Sequence, residues 1–220
     1  MTRVAIADDH DLFREGLRQL LERSGEFEVV AEAGNAADTM RCVRQFDFDV
    51  LVLDLAMPGR SGVDLVRQVK AERADLPILV LSMHAEDQYA VRALAAGASA
   101  YLTKGSRAEV VQQALRRLAS GGRYIGERVA ELLAQGGRPA ASRSDVRRLS
   151  NREFQVMMAL VAGESVTEIA GRLHLSVKTI STHKTNVLHK LACRSLAELV
   201  RYAIDNDLTD RPPERVPPGS

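Results

Sequence analysis

Tryptophan is absent, cysteine occurs only twice, and no residue type of one charge dominates the 220-residue chain. Cys42 and Cys193 lie far apart in helix-like contexts, with no Cys or His nearby at metal-ligand spacing. That excludes a disulfide framework and a Cys/His zinc site, and leaves two reduced thiols. No stretch of about 18 apolar residues occurs, so a membrane span is excluded. The opening "MTRVAIADDHDLF" becomes charged too soon for a signal peptide. The expected location is cytoplasmic, with no membrane partner. What is present is a chain with 45% hydrophobic residues, enough for real cores and too many for a disordered polymer.

The net charge of +1 conceals an asymmetry. Residues 1–120 carry fifteen Lys and Arg against eighteen Asp and Glu, whereas residues 143–204 carry ten against five. An acidic first part and a basic second part face different partners, and a small basic domain is compatible with nucleic acid.

Short apolar runs alternate with helical patterns along the first 120 residues. "RVAIADD" precedes "LFREGLRQLLER", whose Leu12, Leu17, Leu20 and Leu21 suggest a helical stripe. The alternation repeats through "FEVVAEA", "DVLVLD", "PILVLS" and "AYLTK", each followed by a helical segment. Five such units predict an α/β, doubly wound (βα)5 domain with a mainly parallel sheet, since continuously apolar strands need helices on both faces. Gly59 and Gly97 fall where the chain must turn. The Gly pairs and "GGRPAASRS" between residues 119 and 147 read as a linker around a short helix, "ERVAELLAQ". Beyond it, Ser150 with Glu153, Ser165 with Glu168 and Ser195 with Glu198 form three candidate capping boxes, and Ser176 marks a fourth start without the acid. Helices are therefore expected over about 151–162, 166–173, 177–191 and 196–205. The middle pair has helix-turn-helix spacing. The closing "DRPPERVPPGS", with four prolines and little to bury, reads as a disordered tail over 209–220.

"LVLDLAMPGRSG" ends a buried strand on Asp54, which raises the question of what that acid meets. In a parallel sheet the carboxyl ends of the strands share one edge, where ligands bind. Asp8 and Asp9 end the first strand, Asp54 the third and Ser82 the fourth, while Lys104 follows the fifth. Singly, each has an ordinary reading as a cap, a turn hydroxyl or a solvated charge. Together, three converging carboxylates need a counter-charge, and hard oxygen ligands suit Mg²⁺. A carboxylate beside that ion can attack phosphorus and form an acyl phosphate, with Lys104 neutralising the transferred oxygens.

The "ADD", "DLAMPGRSG" and "LSMHAEDQYAVRALAAGASAYLTK" segments, in this order and separation, closely resemble the receiver domain of bacterial two-component response regulators over residues 1–118. The resemblance implies that Asp54 accepts a phosphoryl group from a sensor histidine kinase. It implies Asp9 as a direct Mg²⁺ ligand, Asp8 assisting through water, and the Ala56 carbonyl as a further ligand. Ser82, in place of the commoner Thr, and Tyr101 match the switch positions: the hydroxyl moves toward the phosphoryl group and the ring turns inward. Lys104 pairs with the phosphoryl group. The coupling surface includes the fourth and fifth helices, roughly 86–95 and 107–118.

In "VKTISTHKTNVLHKL", Ile180, Val187 and Leu191 make an inward stripe bordered by His183 and Leu188, while Lys178, Ser181, Thr182, Thr185 and His189 share another face. Small hydroxyls and cations can approach a phosphate-lined groove closely. Ser181, Thr182 and Thr185 are expected near base edges, and Lys178, Thr179, Lys184 and Lys190 against the backbone. His183 reads as a packed, hydrogen-bonded histidine. "LSNREFQVMMALVAGESVTEIAGRLHLSVKTISTHKTNVLHKLACRS" resembles the LuxR-type helix-turn-helix domain of the NarL/FixJ subfamily, over 148–208. Ala192 stands where that family often has Gly, which bears on where the recognition helix ends. The resemblance implies a small all-α, four-helix domain whose residues 178–190 enter DNA, with dimers on paired half-sites.

The combined reading is a phosphorylation-controlled transcription regulator, not an enzyme. Its partners are double-stranded promoter DNA, a sensor histidine kinase and a second copy when phosphorylated, with RNA polymerase open as a further partner. Two alternatives stand beside it: a DNA-binding regulator independent of phosphate, and a phosphotransfer or self-dephosphorylating protein without a dominant DNA role.

Overall fold

The structure, a computed structural model, describes residues 1–57, 62–83, 86–126, 129, 130, 146, 148–206 and 208, the side chains of 86–88 excepted. The chain divides into two compact units, Met1–Arg138 and Pro139–Ser220.

In the first unit β1 (Thr2–Ala7), β2 (Phe27–Ala33), β3 (Val50–Asp54), β4 (Ile78–Ser82) and β5 (Ala100–Thr103) alternate with α1 (Asp11–Glu22), α2 (Ala36–Gln45), α3 (Gly62–Glu72), α4 (Glu86–Ala95) and α5 (Ala108–Ala119). The strands lie in the order β2-β1-β3-β4-β5, and every pairing is parallel. This is the expected doubly wound (βα)5 fold. Every residue of "VLVLD" and "ILVLS" is buried, because β3 and β4 are covered on both faces. Val4, Ile6, Val52, Leu79 and Leu81 from the strands pack with Leu17, Leu21, Leu115 and Leu118 from α1 and α5 in one core. Each such side chain contributes roughly 1.5–3 kcal/mol by leaving water.

The leucine stripe expected on α1 needs one correction. Leu17 and Leu21 are buried, but Leu12 is 88% exposed. At about 100° per residue Leu12 lies roughly 140° around the helix from Leu17, and Phe13, closer to the buried face, packs on the core instead. Gly62 opens α3 against Leu55; a Cβ there would stand 2.3 Å from the Leu55 Cα, so only glycine fits. Gly97 turns the chain after α4 at φ +111. Gly59 and the tail over 209–220 lie outside the described residues. So does the short helix expected at "ERVAELLAQ", apart from 129 and 130, which are helical.

The second unit contains α6 (Asn151–Val161), α7 (Val166–Arg172), α8 (Val177–Lys190) and α9 (Leu196–Asp205). Their bounds follow the hydroxyl caps. Ser150–Glu153 and Ser165–Glu168 form complete capping boxes. The third is half formed: Ser195 accepts from the Glu198 N–H, but the Glu198 carboxylate accepts from the Arg194 N–H, one residue before the cap. Ser176 caps α8 without an acid, accepting from the Thr179 N–H. Between α7 and α8 the chain turns at His174, φ 50, and after α8 it turns at Ala192, φ 55. The left-handed turn is thus kept where glycine is common in similar domains, at a backbone cost of about 1–2 kcal/mol.

Glu153 ties the start of α6 to the end of α8. It lies in the first turn of α6, accepts from the Ser150 N–H at 2.7 Å, and holds Lys190, the last residue of α8, at 2.7 Å. Burial raises its carboxyl pKa, but Lys190 and Ser150 outweigh it and the net direction is down. Replacing Glu153 by Gln is expected to lower the stability of the helical unit by about 1–3 kcal/mol at neutral pH. A depressed folded pKa gives stability that is present above the ordinary carboxyl pKa and lost as pH falls through the folded value. Urea midpoints of the helical transition should therefore converge for parent and variant in acid.

Candidate metal centre and nucleic-acid interface

The strand order reverses between β1 and β3, and a crevice opens at the carboxyl ends where it does. Ala7 pairs with Leu53 and Asp54 with Leu81, so the turn after β1 and the end of β3 stand side by side. Ser82 pairs with Thr103 one strand further on, and the Ser82 carbonyl accepts from the Lys104 N–H at 2.8 Å. These pairings bring Asp8, Asp9, Asp54 and Lys104 together from three places in the sequence.

The Lys104 ammonium reaches Asp8 Oδ2 at 2.7 Å and Asp54 Oδ2 at 2.8 Å. It also lies 4.6 Å from the centroid of the Phe13 ring, which shields it. The other Asp54 oxygen accepts from the Ala56 N–H at 2.9 Å. Asp8 Oδ1 accepts from the His10 N–H at 2.9 Å, and the Asp8 carbonyl accepts from Arg14 Nη1 at 2.7 Å. Asp8 and Asp54 are 2% and 1% exposed. Burial pushes the Asp54 carboxyl up, and Lys104 and the Ala56 N–H pull the other way without cancelling it. Lys104 also moves up: burial works against the ammonium, but Asp54 and Asp8 outweigh it.

Three carboxylates face one ammonium, leaving two negative charges uncompensated. Asp9 Oδ1 is buried and has no hydrogen-bond partner among the described residues. Ligand atoms of Asp8, Asp9, His10 and Asp54 all lie within 4.8 Å of one another. An orphaned carboxylate oxygen, an oxygen-rich donor set and a deficit of two charges fit a divalent cation.

Two contributors escaped the sequence reading. His10 sits at the N-cap of α1 with its ring among the acids, and Phe13 lies against Lys104. The signal for His10 was its place directly after Asp8 and Asp9; nothing local announced Phe13. Ser82 is fully buried, and Tyr101, 1% exposed, already has its ring inside. Ala56 is placed by its N–H on Asp54.

On α8, Ile180, Val187 and Leu191 are buried, and Lys178, Ser181, Thr182, Thr185 and His189 are exposed, as the stripe predicts. The Thr182 hydroxyl donates to the Lys178 carbonyl and the Thr185 hydroxyl to the Ser181 carbonyl, both at 3.0 Å. Each keeps lone pairs for an external donor. Thr179 serves the cap, its hydroxyl 2.8 Å from Ser176 Oγ. Lys184 is half-buried, and Lys190 is tied to Glu153. His183 packs as expected, but its buried Nδ1 has no hydrogen-bond partner among the described residues. Burial, aided by Arg152, holds its pKa down.

Residues 4–116 match the response regulator receiver domain, and residues 147–203 match the bacterial regulatory proteins of the luxR family. The chain is 34% identical over 209 residues to the response regulator UvrY of Escherichia coli K12, covering 94% of this chain and 96% of that protein. It is 32% identical over 211 residues to the response regulator GacA of Pseudomonas aeruginosa PAO1, covering 96% and 99%. Among solved structures, it resembles RcsB of Salmonella enterica serovar Typhimurium bound to the rprA promoter in the presence of the phosphomimetic BeF3⁻. That match has a TM-score of 0.63 and 30% identity, over 91% of this chain and 97% of that one. Among the described residues, no helix is long and apolar enough to cross a membrane.

Replacing Asp9 by Asn should lower the affinity for a divalent cation at least tenfold, read by calorimetric titration with MgCl2. In EDTA the same variant should melt no lower than the parent, since it removes one of the repelling carboxylates. Added Mg²⁺ should raise the parent's Tm more than the variant's.

Proposed function

The chain belongs to the response regulators that join a receiver domain to a LuxR-type helix-turn-helix domain, and from this we propose that phosphorylation of Asp54 controls its binding to promoter DNA. Lys104 bridging Asp8 and Asp54, with the Ala56 N–H on the second Asp54 oxygen, is the observation that carries the reading. As a regulator, not an enzyme, the chain performs acyl-phosphate chemistry that ends on its own side chain.

An Asp54 oxygen attacks the phosphorus of a phosphohistidine on a sensor kinase. The O–P bond forms as the P–N bond breaks, and the leaving imidazole nitrogen takes up a proton. Asp9, Asp54 and the Ala56 carbonyl, with Asp8 assisting through water, would hold a Mg²⁺ ion, which when bound would neutralise charge on the phosphoryl oxygens. The Ala56 N–H orients the nucleophile. Lys104 transfers its ammonium from the Asp54 carboxylate to the phosphoryl oxygens, and the Ser82 hydroxyl turns toward them. Tyr101 keeps its ring in the interior. Such small movements change a receiver surface because the added charge favours one of two packed arrangements.

The output is DNA binding by α8. Lys178 and Lys184, with Thr179 and Lys190 at the margins, position the phosphate backbone, and Ser181, Thr182 and Thr185 face the bases. Lys190 reaches a phosphate only by loosening its hold on Glu153. RcsB, described as bound to promoters in the presence of a phosphomimetic, supports both halves of this reading. Two chains paired by phosphorylation bind adjacent half-sites more tightly through effective concentration. The layout is a receiver over 1–118, a linker over 119–147, a DNA-binding domain over 148–208 and a tail over 209–220, working in the cytoplasm with a kinase and promoter DNA, and with RNA polymerase left open as a further partner.

Asp54→Asn is expected to abolish labelling by a Mg²⁺-dependent phosphodonor and the donor's enhancement of DNA binding, while leaving unmodified binding intact. Phosphate-affinity gels and fragment-library selection with and without donor measure both. Lys178→Ala should weaken binding on all sequences and flatten the salt slope by about 1, whereas Thr182→Ala should mainly relax discrimination between sites. Competition titrations at several salt concentrations separate the two effects.

A further inference from the structure

The donor set at the carboxylate crevice contains one atom that a magnesium site does not call for. His10 Nδ1 lies 3.1 Å from Asp9 Oδ1, 3.2 Å from Asp8 Oδ1 and 3.9 Å from Asp54 Oδ2. In an octahedral site with bonds of about 2.1 Å, neighbouring ligand atoms are separated by about 3.0 Å. The imidazole nitrogen therefore stands from Asp8 and Asp9 at the spacing of adjacent ligands of one ion. The ring is anchored from its own backbone, since the His10 N–H donates to Asp8 Oδ1 and the residue opens α1. Its side chain is 58% exposed, so an ion and its waters can enter from that side.

From this geometry we propose that His10 is a nitrogen ligand that makes the crevice a mixed N/O site, taking a borderline transition ion such as Co²⁺ or Ni²⁺ in preference to Mg²⁺. This rests on reading the crevice as a divalent-cation centre. Magnesium gains little from an imidazole and favours oxygen, whereas affinity for nitrogen-containing sites rises along Mn²⁺, Fe²⁺, Co²⁺ and Ni²⁺. A metal-bound ring donates its Nδ1 lone pair and carries its single proton on Nε2, so the tautomer with Nδ1 free is the one that binds and the ring neither gains nor loses a proton. The Asp9 Oδ1 atom, buried and otherwise without a hydrogen bond, gains a partner. Lys104 Nζ lies 3.5 Å from the same nitrogen while paired with Asp8 Oδ2 and Asp54 Oδ2, which leaves Asp8 Oδ1 and Asp9 Oδ1 facing the ring.

The test is calorimetric titration of the full chain with CoCl2 and, separately, MgCl2, for the parent, His10→Ala, His10→Gln and Asp9→Asn, with proton NMR of each Co²⁺ complex. The parent should bind Co²⁺ at least tenfold more tightly than Mg²⁺ and show a paramagnetically shifted, exchangeable imidazole N–H resonance. Both His10 variants should lose that resonance and at least tenfold in Co²⁺ affinity while their Mg²⁺ affinity stays within twofold. Asp9→Asn should lose both ions, which separates the crevice from the histidines elsewhere in the chain. Equal loss of Co²⁺ and Mg²⁺ in the His10 variants, or no loss of either, overturns the nitrogen ligand but keeps the cation centre. Failure of the parent to bind Mg²⁺ at all overturns the cation centre itself.

Discussion

A single ammonium governs the chemistry of the first unit. Lys104, brought to the carboxyl edge by β5, is held 2.7 Å from Asp8 and 2.8 Å from Asp54. Without it, two nearly buried carboxylates on adjacent strands would repel one another, and burial would push the Asp54 carboxyl further toward its neutral form. With it, Asp54 remains poised between an ammonium on one oxygen and the Ala56 N–H on the other. One positive charge cannot cancel three carboxylates. The remaining deficit is what fits the crevice to hold a divalent cation.

The constraint on the second unit is different in kind. Its helices are short, 7 to 14 residues, and such helices are marginal alone in water. Each start is fixed by a serine hydroxyl, and Glu153 links the first turn of α6 to the last residue of α8. The same contact engages Lys190, one of the cations of α8 proposed to meet DNA. Stability of the bundle and charge available to a phosphate backbone therefore draw on one side chain, and the helix is left with Lys178 as its exposed N-terminal cation.

Much of this was legible before any coordinates. Alternating apolar runs and helical stripes gave the five strand-helix units, because burial on both faces of a parallel sheet requires continuous hydrophobic strands. Serine hydroxyls, three of them paired with an acid, gave the starts of the four later helices, because an N-cap is satisfied within four residues. Leu12 was misplaced since a leucine in a first turn satisfies a list of apolar residues without satisfying their angular phase. The Glu198 carboxylate was misassigned by one residue since the Arg194 and Ser195 N–H groups are both within its reach, and sequence spacing does not choose between them.

The sequence by itself determined which chemical groups end each strand and which face of α8 is polar, since alternation, capping and helical phase are local properties. Only the tertiary structure decided that Asp8, Asp54 and Lys104 touch, that His10 turns its ring nitrogen toward the acids, that Phe13 shields the ammonium, and that Lys190 is engaged by Glu153. Those contacts span up to 96 positions along the chain, from Asp8 to Lys104. They follow from strand order and register, which arise from packing the whole sheet and leave no signature in any one segment.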